Sequence, residues 1–276
     1  MTATPTVQLN NKIYMPQLGF GVFLVPPDEV VQPVREALAA GYRLIDTATL
    51  YGNEEGVGRA LRDSGIARED VFVTTKVWNT DQGYDSTLRA FDNSLQLLGL
   101  EVLDLYLIHW PAPRRDRYVE TWKALEKLYD EGRVRAIGVS NFTVAHLNRL
   151  LDETDVVPAV NQIELHPGFP QHELREFHAA RGIVTESWSP LGRGHGLLDQ
   201  QPVLDIAKQV GRTPAQVVLR WHLQLGLVVI PKSVRAERIR ENFAIFDFEL
   251  DDEQLQTLSD LVEPARIGPD PDEMNR

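Results

Sequence analysis

Short apolar runs alternate with longer segments of helical periodicity along the whole chain, and this rhythm restricts the fold more than any other feature. Candidate strands occupy 43–47, 71–76, 103–110, 134–141, 159–166, 183–189, 227–233 and 245–248. Helices lie between them. One opens at Asp28 with an acidic cap and ends at Gly41. The segment 118–130 places Trp122, Leu125 and Leu128 on one stripe and stops at Gly132. The segment 143–151 begins on a hydroxyl cap, and Thr213-Pro214 puts proline at the first helical position before 215–224. Pro33 fits the first helix only in its opening turn. Eight strands with intervening helices, and no linker within 276 residues, predict an α/β chain folded over 1–276 as one (β/α)8 TIM barrel domain. A doubly wound dinucleotide-binding sheet is the main rival. Its glycine fingerprint has only near misses: Gly19-Phe-Gly21, Gly56-Val-Gly58 and Gly192-Arg-Gly194 carry Leu24, Leu61 and Leu197 where a third glycine would fall. Residues 1–17 read as an N-terminal hairpin turning at Asn10-Asn11 and capping the bottom of the barrel, and 263–276 as a short C-terminal tail.

Charge narrows the partners. Lys and Arg number 28 against 40 Asp and Glu, a formal net charge of -12. That argues against nucleic acid and anionic membranes, which need a basic face. The absence of cysteine excludes disulfides, thiolate zinc sites and cysteine nucleophiles. No apolar run nears the roughly 18 residues of a membrane span, and the first residues lack the basic and apolar stretches of a secretory signal, so a cytoplasmic chain is expected. No feature demands an interface, and a monomer is the default.

The C-terminal ends of the apolar runs carry the chemistry. In order they present Asp46, Lys76, His109, Ser140-Asn141, Gln162 with Glu164, Ser189, and Lys232-Ser233. A parallel barrel gathers those ends on one face, where the βα loops build active sites. Each residue alone also reads as an ordinary polar strand end; Asp46 could cap a turn and Tyr51 could pack on a helix. Lys76 is the hardest to read that way, because a lysine ending a buried strand needs a partner. Asp46, Tyr51, Lys76 and His109 together suit proton donation. A free phenol titrates near 10, an adjacent ammonium favours its ionised form, and a carboxylate holds that ammonium in place. A positioned acid of this kind contributes ~10²–10⁴ in rate. Ser140, Asn141 and Gln162 can hydrogen-bond a carboxamide, and Trp188 offers a plane for a ring to stack on, although it reads equally as a core tryptophan. Lys232, Ser233, Arg235 and Arg238 form a basic cluster suited to a phosphate dianion, or simply a solvated helix end. Phe23, Trp78 and Trp110 flank the rim and suit an apolar substrate mouth.

The ordered segments Arg43-Leu-Ile-Asp46-Thr-Ala-Thr-Leu-Tyr51-Gly-Asn-Glu54, Thr75-Lys76-Val-Trp78, Leu105-Tyr-Leu-Ile-His109-Trp110-Pro111 and Ile137-Gly-Val-Ser140-Asn141-Phe142 resemble successive signatures of the aldo-keto reductases. Val160-Asn-Gln162-Ile-Glu-Leu-His-Pro167 and Ile230-Pro-Lys232-Ser233 continue the series, so the resemblance runs from about Gln17 to Asn242. Trp188 in Glu-Ser-Trp-Ser-Pro makes the chain most similar to the bacterial 2,5-diketo-D-gluconate reductase-like branch. The resemblance implies NADPH-dependent reduction of aldehydes and ketones, with Tyr51 as proton donor and Asp46, Lys76 and His109 as its partners. It implies that Ser140, Asn141, Gln162 and Trp188 meet the nicotinamide, that Ser189 is a further cofactor contact, and that Lys232, Ser233, Arg235 and Arg238 meet the phosphate. Leu191, Ile230 and Val234 would give main-chain or packing contacts, while Glu241 and Asn242 approach the adenine. A tail this short predicts an open pocket and broad specificity for small dicarbonyls, aldehydes and keto-sugars.

Two other classes compete, hydrolases of two kinds and a nucleotide sensor. A metal-dependent hydrolase barrel would need clustered ligands, but the histidines form no His-x-His pair, and His172 and His178 read as helix-surface residues. A retaining glycosidase could use Glu164 and Glu186, yet other strand ends carry Ser, Asn and Lys. A sensor that binds NADPH without turnover is disfavoured by the complete set of proton-transfer residues.

Overall fold

The computed structural model describes residues 4–275; residues 1–3 and 276, the outer ends of the expected hairpin segment and tail, lie outside the described residues. Two antiparallel strands, β1 (Thr6–Gln8) and β2 (Tyr14–Pro16), come first. Eight parallel strands follow: β3 (Phe20–Gly21), β4 (Leu44–Asp46), β5 (Phe72–Val77), β6 (Leu103–Ile108), β7 (Val134–Ser140), β8 (Val160–Glu164), β9 (Val184–Trp188) and β10 (Val228–Val229). Each pairs with the next in chain order. The Gly19 amide donates to Val229 O (2.8 Å) and the Val229 amide to Gln17 O (2.9 Å), which closes the cylinder.

The helices are α1 (Val31–Ala40), α2 (Glu54–Asp63), α3 (Tyr84–Leu98), α4 (Tyr118–Asp130), α5 (Val144–Glu153), α6 (His172–Arg181), α7 (Gln201–Val210), α8 (Pro214–Gln224), α9 (Ala236–Phe243) and α10 (Asp252–Ser259). Every residue of β5 and β6 is buried, as expected for parallel strands covered on both faces. Inside the barrel Leu44, Phe72, Leu105, Leu107, Val160 and Val228 pack with Leu9 and Met15. The hairpin therefore plugs the end where strands begin. Asn10 Nδ2 donates to Val157 O and Pro158 O just before β8, and Asn11 Nδ2 to Arg135 O at the start of β7.

Four local expectations change. Eight barrel strands form, but the run 245–248 is not one of them; it is a turn after α9 that buries Ile245. The first barrel strand is instead Phe20–Gly21, within one of the glycine near misses. Its glycines belong there for packing, since a Cβ on Gly19 would lie 2.6 Å from Leu44. Helix α1 starts at Val31 without a side-chain cap rather than at Asp28, and Pro33 falls in its first turn, where no helical bond is lost. His178 is buried, not on a helix surface; its ring meets Asn161 Nδ2 (2.9 Å) and Thr185 Oγ1 (2.8 Å). The hydroxyl cap of α5 forms as expected, Thr143 with His146, and Pro214 opens α8 as expected, with Thr213 also capping it through Gln216.

Candidate active site

Asp46 ends β4 and Lys76 lies one residue from the end of β5, so adjacent strands bring the two side chains together at the upper layer of the barrel. Lys76 is fully buried, and all three of its donors are used: Asp46 Oδ1 (2.6 Å), Asp46 Oδ2 (2.8 Å) and Thr47 O (2.8 Å). Burial is the largest single influence and works against the ammonium, but Asp46, Tyr51 and Glu186 together outweigh it and hold the Lys76 pKa above its ordinary value. The charge is therefore permanent at neutral pH.

Tyr51 sits on a single 3-10 turn after β4 that Gly52 ends in the left-handed region, φ 65°. Asn53 anchors this turn by donating to Val22 O and Val25 O while accepting from Thr47 Oγ1. The phenol is then held over Lys76, whose Nζ is 5.3 Å from the ring centroid, so the ammonium acts on the phenol through its charge. Lys76 does pull the phenol pKa down, but the net displacement is upward, to about 12, because burial outweighs the ammonium and Asp46 adds to it. The expected lowering is thus one contribution and not the outcome. Tyr51 keeps its proton at neutral pH, as a donor must, while the cation lowers the cost of giving it up.

His109 follows β6 and packs edge-on to Tyr51 (centroids 5.7 Å) and Trp78 (5.1 Å). Burial and then Lys76 push its pKa well below the usual imidazole value, so the ring is neutral. Its Nδ1 is buried without a hydrogen-bond partner, which favours the tautomer carrying the proton on Nε2. A neutral Nε2–H beside the phenol is a donor for a carbonyl oxygen.

On the opposite arc, Ser140 ends β7, and Asn141 takes a left-handed conformation, φ 63°. That turn aims Asn141 Nδ2 at His109 O (2.9 Å) and lets its Oδ1 accept from Trp188 Nε1 (2.8 Å), which fixes the indole plane. Gln162 of β8 crosses the barrel to donate to Asp46 Oδ2 (2.8 Å). A cavity of about 400 Å³ joins these groups, with Phe23, Tyr51, Trp78, His109, Trp110, Ser140, Asn141, Gln162, Trp188, Ser189, Leu191, Ile230 and Lys232 all on its wall. Another cavity, about 460 Å³, lies outside β7 and β8 and is lined by none of Asp46, Tyr51, Lys76 and His109. The expected site thus assembles in one place. Ser233, Val234, Arg235 and Arg238 lie beyond the cavity wall, along the entry into α9. Among the described residues, Arg240 pairs with Glu36 (2.7 Å), whereas Lys232, Arg235 and Arg238 make no ion pair. Glu241 accepts from Thr213 Oγ1 (2.6 Å) and Asn242 is buried.

Several pocket groups carried no sequence signal. The tail doubles back over the rim: Glu164 accepts from the amides of Ile267 (2.6 Å) and Gly268 (2.7 Å), and Arg114 N donates to Asn275 Oδ1 (2.7 Å). Pro269 and Met274 consequently line the pocket. A short tail therefore still lines part of the mouth of the pocket, which its length alone predicts to be open. Leu24, Leu50 and Arg193 complete the wall from loops. Only the contact of Glu164 with a distant backbone could have revealed the tail, and no local pattern encodes it.

The model of the Aldo/keto reductase family matches residues 17–263. The chain is 52% identical over 270 residues to the glyoxal reductase of Bacillus subtilis (strain 168), covering 98% of this chain and 97% of that one. It is 51% identical over 273 residues to the methylglyoxal reductase DkgA of Salmonella typhimurium, covering 98% of each. A crystal structure of a Gox0644 point mutant in complex with NADPH matches with a TM-score of 0.94 at 52% identity, again covering 98% of each chain. With identity at this level over almost its full length, the chain belongs to the aldo/keto reductase family and is an oxidoreductase.

Proposed function

We propose that this protein reduces small aldehydes, ketones and dicarbonyls to alcohols with NADPH, and that Tyr51 donates the proton. The observation that carries the reading is the fully buried Lys76 ammonium, locked by Asp46 beneath the Tyr51 phenol at the mouth of the cavity. The donor set fits the nicotinamide end of the cofactor: a flat Trp188 held by Asn141, and amide groups of Asn141 and Gln162 for a carboxamide. When bound, NADPH supplies a hydride from nicotinamide C4 to the carbonyl carbon. His109 Nε2–H orients the carbonyl oxygen toward Tyr51. As charge builds on that oxygen, the phenol hydrogen passes to it and the alcohol forms. Lys76 stabilises the resulting tyrosinate until a proton from solvent replaces the one lost. Lys232, Ser233, Arg235 and Arg238 take the 2′-phosphate, Arg235 heading α9 behind a turn in which its amide meets Ser233 Oγ (3.1 Å).

Glyoxal and methylglyoxal are the first substrates to test, given the names of the two reductases at 52% and 51% identity. We read the chain as a cytoplasmic monomer acting as one barrel domain, because it carries no cysteine and no sequence feature demands an interface. The test is NADPH consumption by the purified protein with methylglyoxal, phenylglyoxal and a keto-sugar. Turnover is expected with the dicarbonyls; cofactor binding without turnover across the panel would refute the reading in favour of a sensor.

A further inference from the structure

Glu186 of β9 is a fully buried carboxyl in the same polar layer as Asp46 and Lys76, and the proton-transfer steps above make no use of it. It stands beside Gln162 in the sheet register, and its Oε2 accepts from Gln162 Nε2 at 2.9 Å. The same nitrogen donates to Asp46 Oδ2 at 2.8 Å. An amide nitrogen has two hydrogens, so both are consumed by carboxyl groups on two different strands. One anchor would let the amide plane swing about a single bond; two fix it. Among the described residues no group hydrogen-bonds the remaining polar atom of Gln162, its Oε1, and Gln162 lies on the cavity wall. A ligand there meets Gln162 as a hydrogen-bond acceptor and not as a donor.

We propose that Glu186 is a positioning residue: by taking the second amide hydrogen of Gln162 it locks that side chain with its oxygen facing the cofactor, where it accepts an N–H of the nicotinamide carboxamide. The proposal rests on the reading of Gln162 as the carboxamide partner. Burial and the nearby Asp46 carboxylate bias Glu186 toward its neutral acid form, and the other group facing it is the Lys76 ammonium already paired with Asp46. A neutral acid accepting through one oxygen is closely mimicked by glutamine, whereas leucine fills the volume and accepts nothing.

The experiment compares two ligands within each protein. NADP+ and its 3-acetylpyridine analogue differ in that the analogue carries no carboxamide N–H; both are titrated by tryptophan fluorescence, with thermal midpoints recorded for folding. Wild type should bind NADP+ about five- to tenfold more tightly than the analogue, the loss expected for one hydrogen bond. Glu186→Leu should bind the two within about twofold, and Glu186→Gln should restore the wild-type preference. Glu186→Ala makes the same comparison should the leucine variant not fold. A leucine or alanine variant that keeps the full preference, or a glutamine variant that loses it, overturns the role of Glu186. A wild type with no preference overturns the carboxamide reading of Gln162 itself, and the proposal with it.

Discussion

Replacing Lys76 by Met separates what the buried ammonium does for folding from what it does for chemistry. The side chain is completely enclosed and makes two bonds to Asp46 and one to Thr47 O. Methionine fills most of the volume but leaves the Asp46 carboxylate with only Gln162 as a donor. Breaking a buried pair from one side costs roughly 3–5 kcal/mol, because the remaining charge is unpaired. For a chain of this size that corresponds to ~6–20 °C in melting temperature. Activity should fall further, by up to ~10²–10⁴, since the forming tyrosinate at Tyr51 loses its nearest cation. Calorimetry and steady-state NADPH oxidation read the two effects. The double variant Asp46→Asn with Lys76→Met removes both charges, so most of the lost stability should return while activity stays low. A double variant as unstable as the single one would show that the orphaned carboxylate is not the cause. More than about a tenth of wild-type turnover in Lys76→Met would refute the electrostatic link to Tyr51.

Arg238→Ala should weaken NADPH binding by about 10- to 100-fold, the range for a charge-assisted bond, and NADH hardly at all; equal losses measured by titration would remove Arg238 from the phosphate site. Gly268→Val should displace the tail, because a Cβ there would lie 2.4 Å from the Trp188 ring and 2.8 Å from Glu164 Oε2. Its KM for dicarbonyls should rise more than its kcat falls, and unchanged kinetics would mean that the tail does not shape the pocket. Acid should destabilise the fold through His178, whose burial lowers its pKa from 6.5 to about 4. Its neutral form contributes full stability above the unfolded value, and about 3 kcal/mol is lost as pH falls from 6.5 through 4. His178→Gln should flatten that part of a melting-temperature profile; an unchanged slope would assign the acid sensitivity elsewhere.

The rim was legible in the sequence because polar residues at the ends of apolar strands are costly unless they face a shared site. Asp46, Lys76, His109, Ser140 and Gln162 stood out on that ground alone, and all reach the same cavity or its floor. What stayed hidden depends on distant pairing. Phe20–Gly21 is a strand only because Ile45 and Asp46 pair with it on one side and Pro231 O takes the Gly21 amide on the other, and two residues show no periodicity. The run 245–248 imitates a strand because Ile245 is buried in the helical layer while Phe246 and Phe248 pack against it from outside. His178 looked like a surface residue until α6 folded onto β8 and β9, which supply its partners Asn161 and Thr185. The tail offered only length, and its course is set by the Glu164 carboxylate, a residue about a hundred positions earlier in the chain.

Tyr51→Phe removes one oxygen and leaves the ring packed against Phe23 and His109, so it isolates proton donation from everything else in the cavity. Single-turnover oxidation of bound NADPH by methylglyoxal, measured beside the NADPH dissociation constant, should show the chemical step slowed by at least ~10²-fold with cofactor affinity within about twofold of wild type. A hydride-transfer rate near that of wild type would contradict the assignment of Tyr51 as the acid.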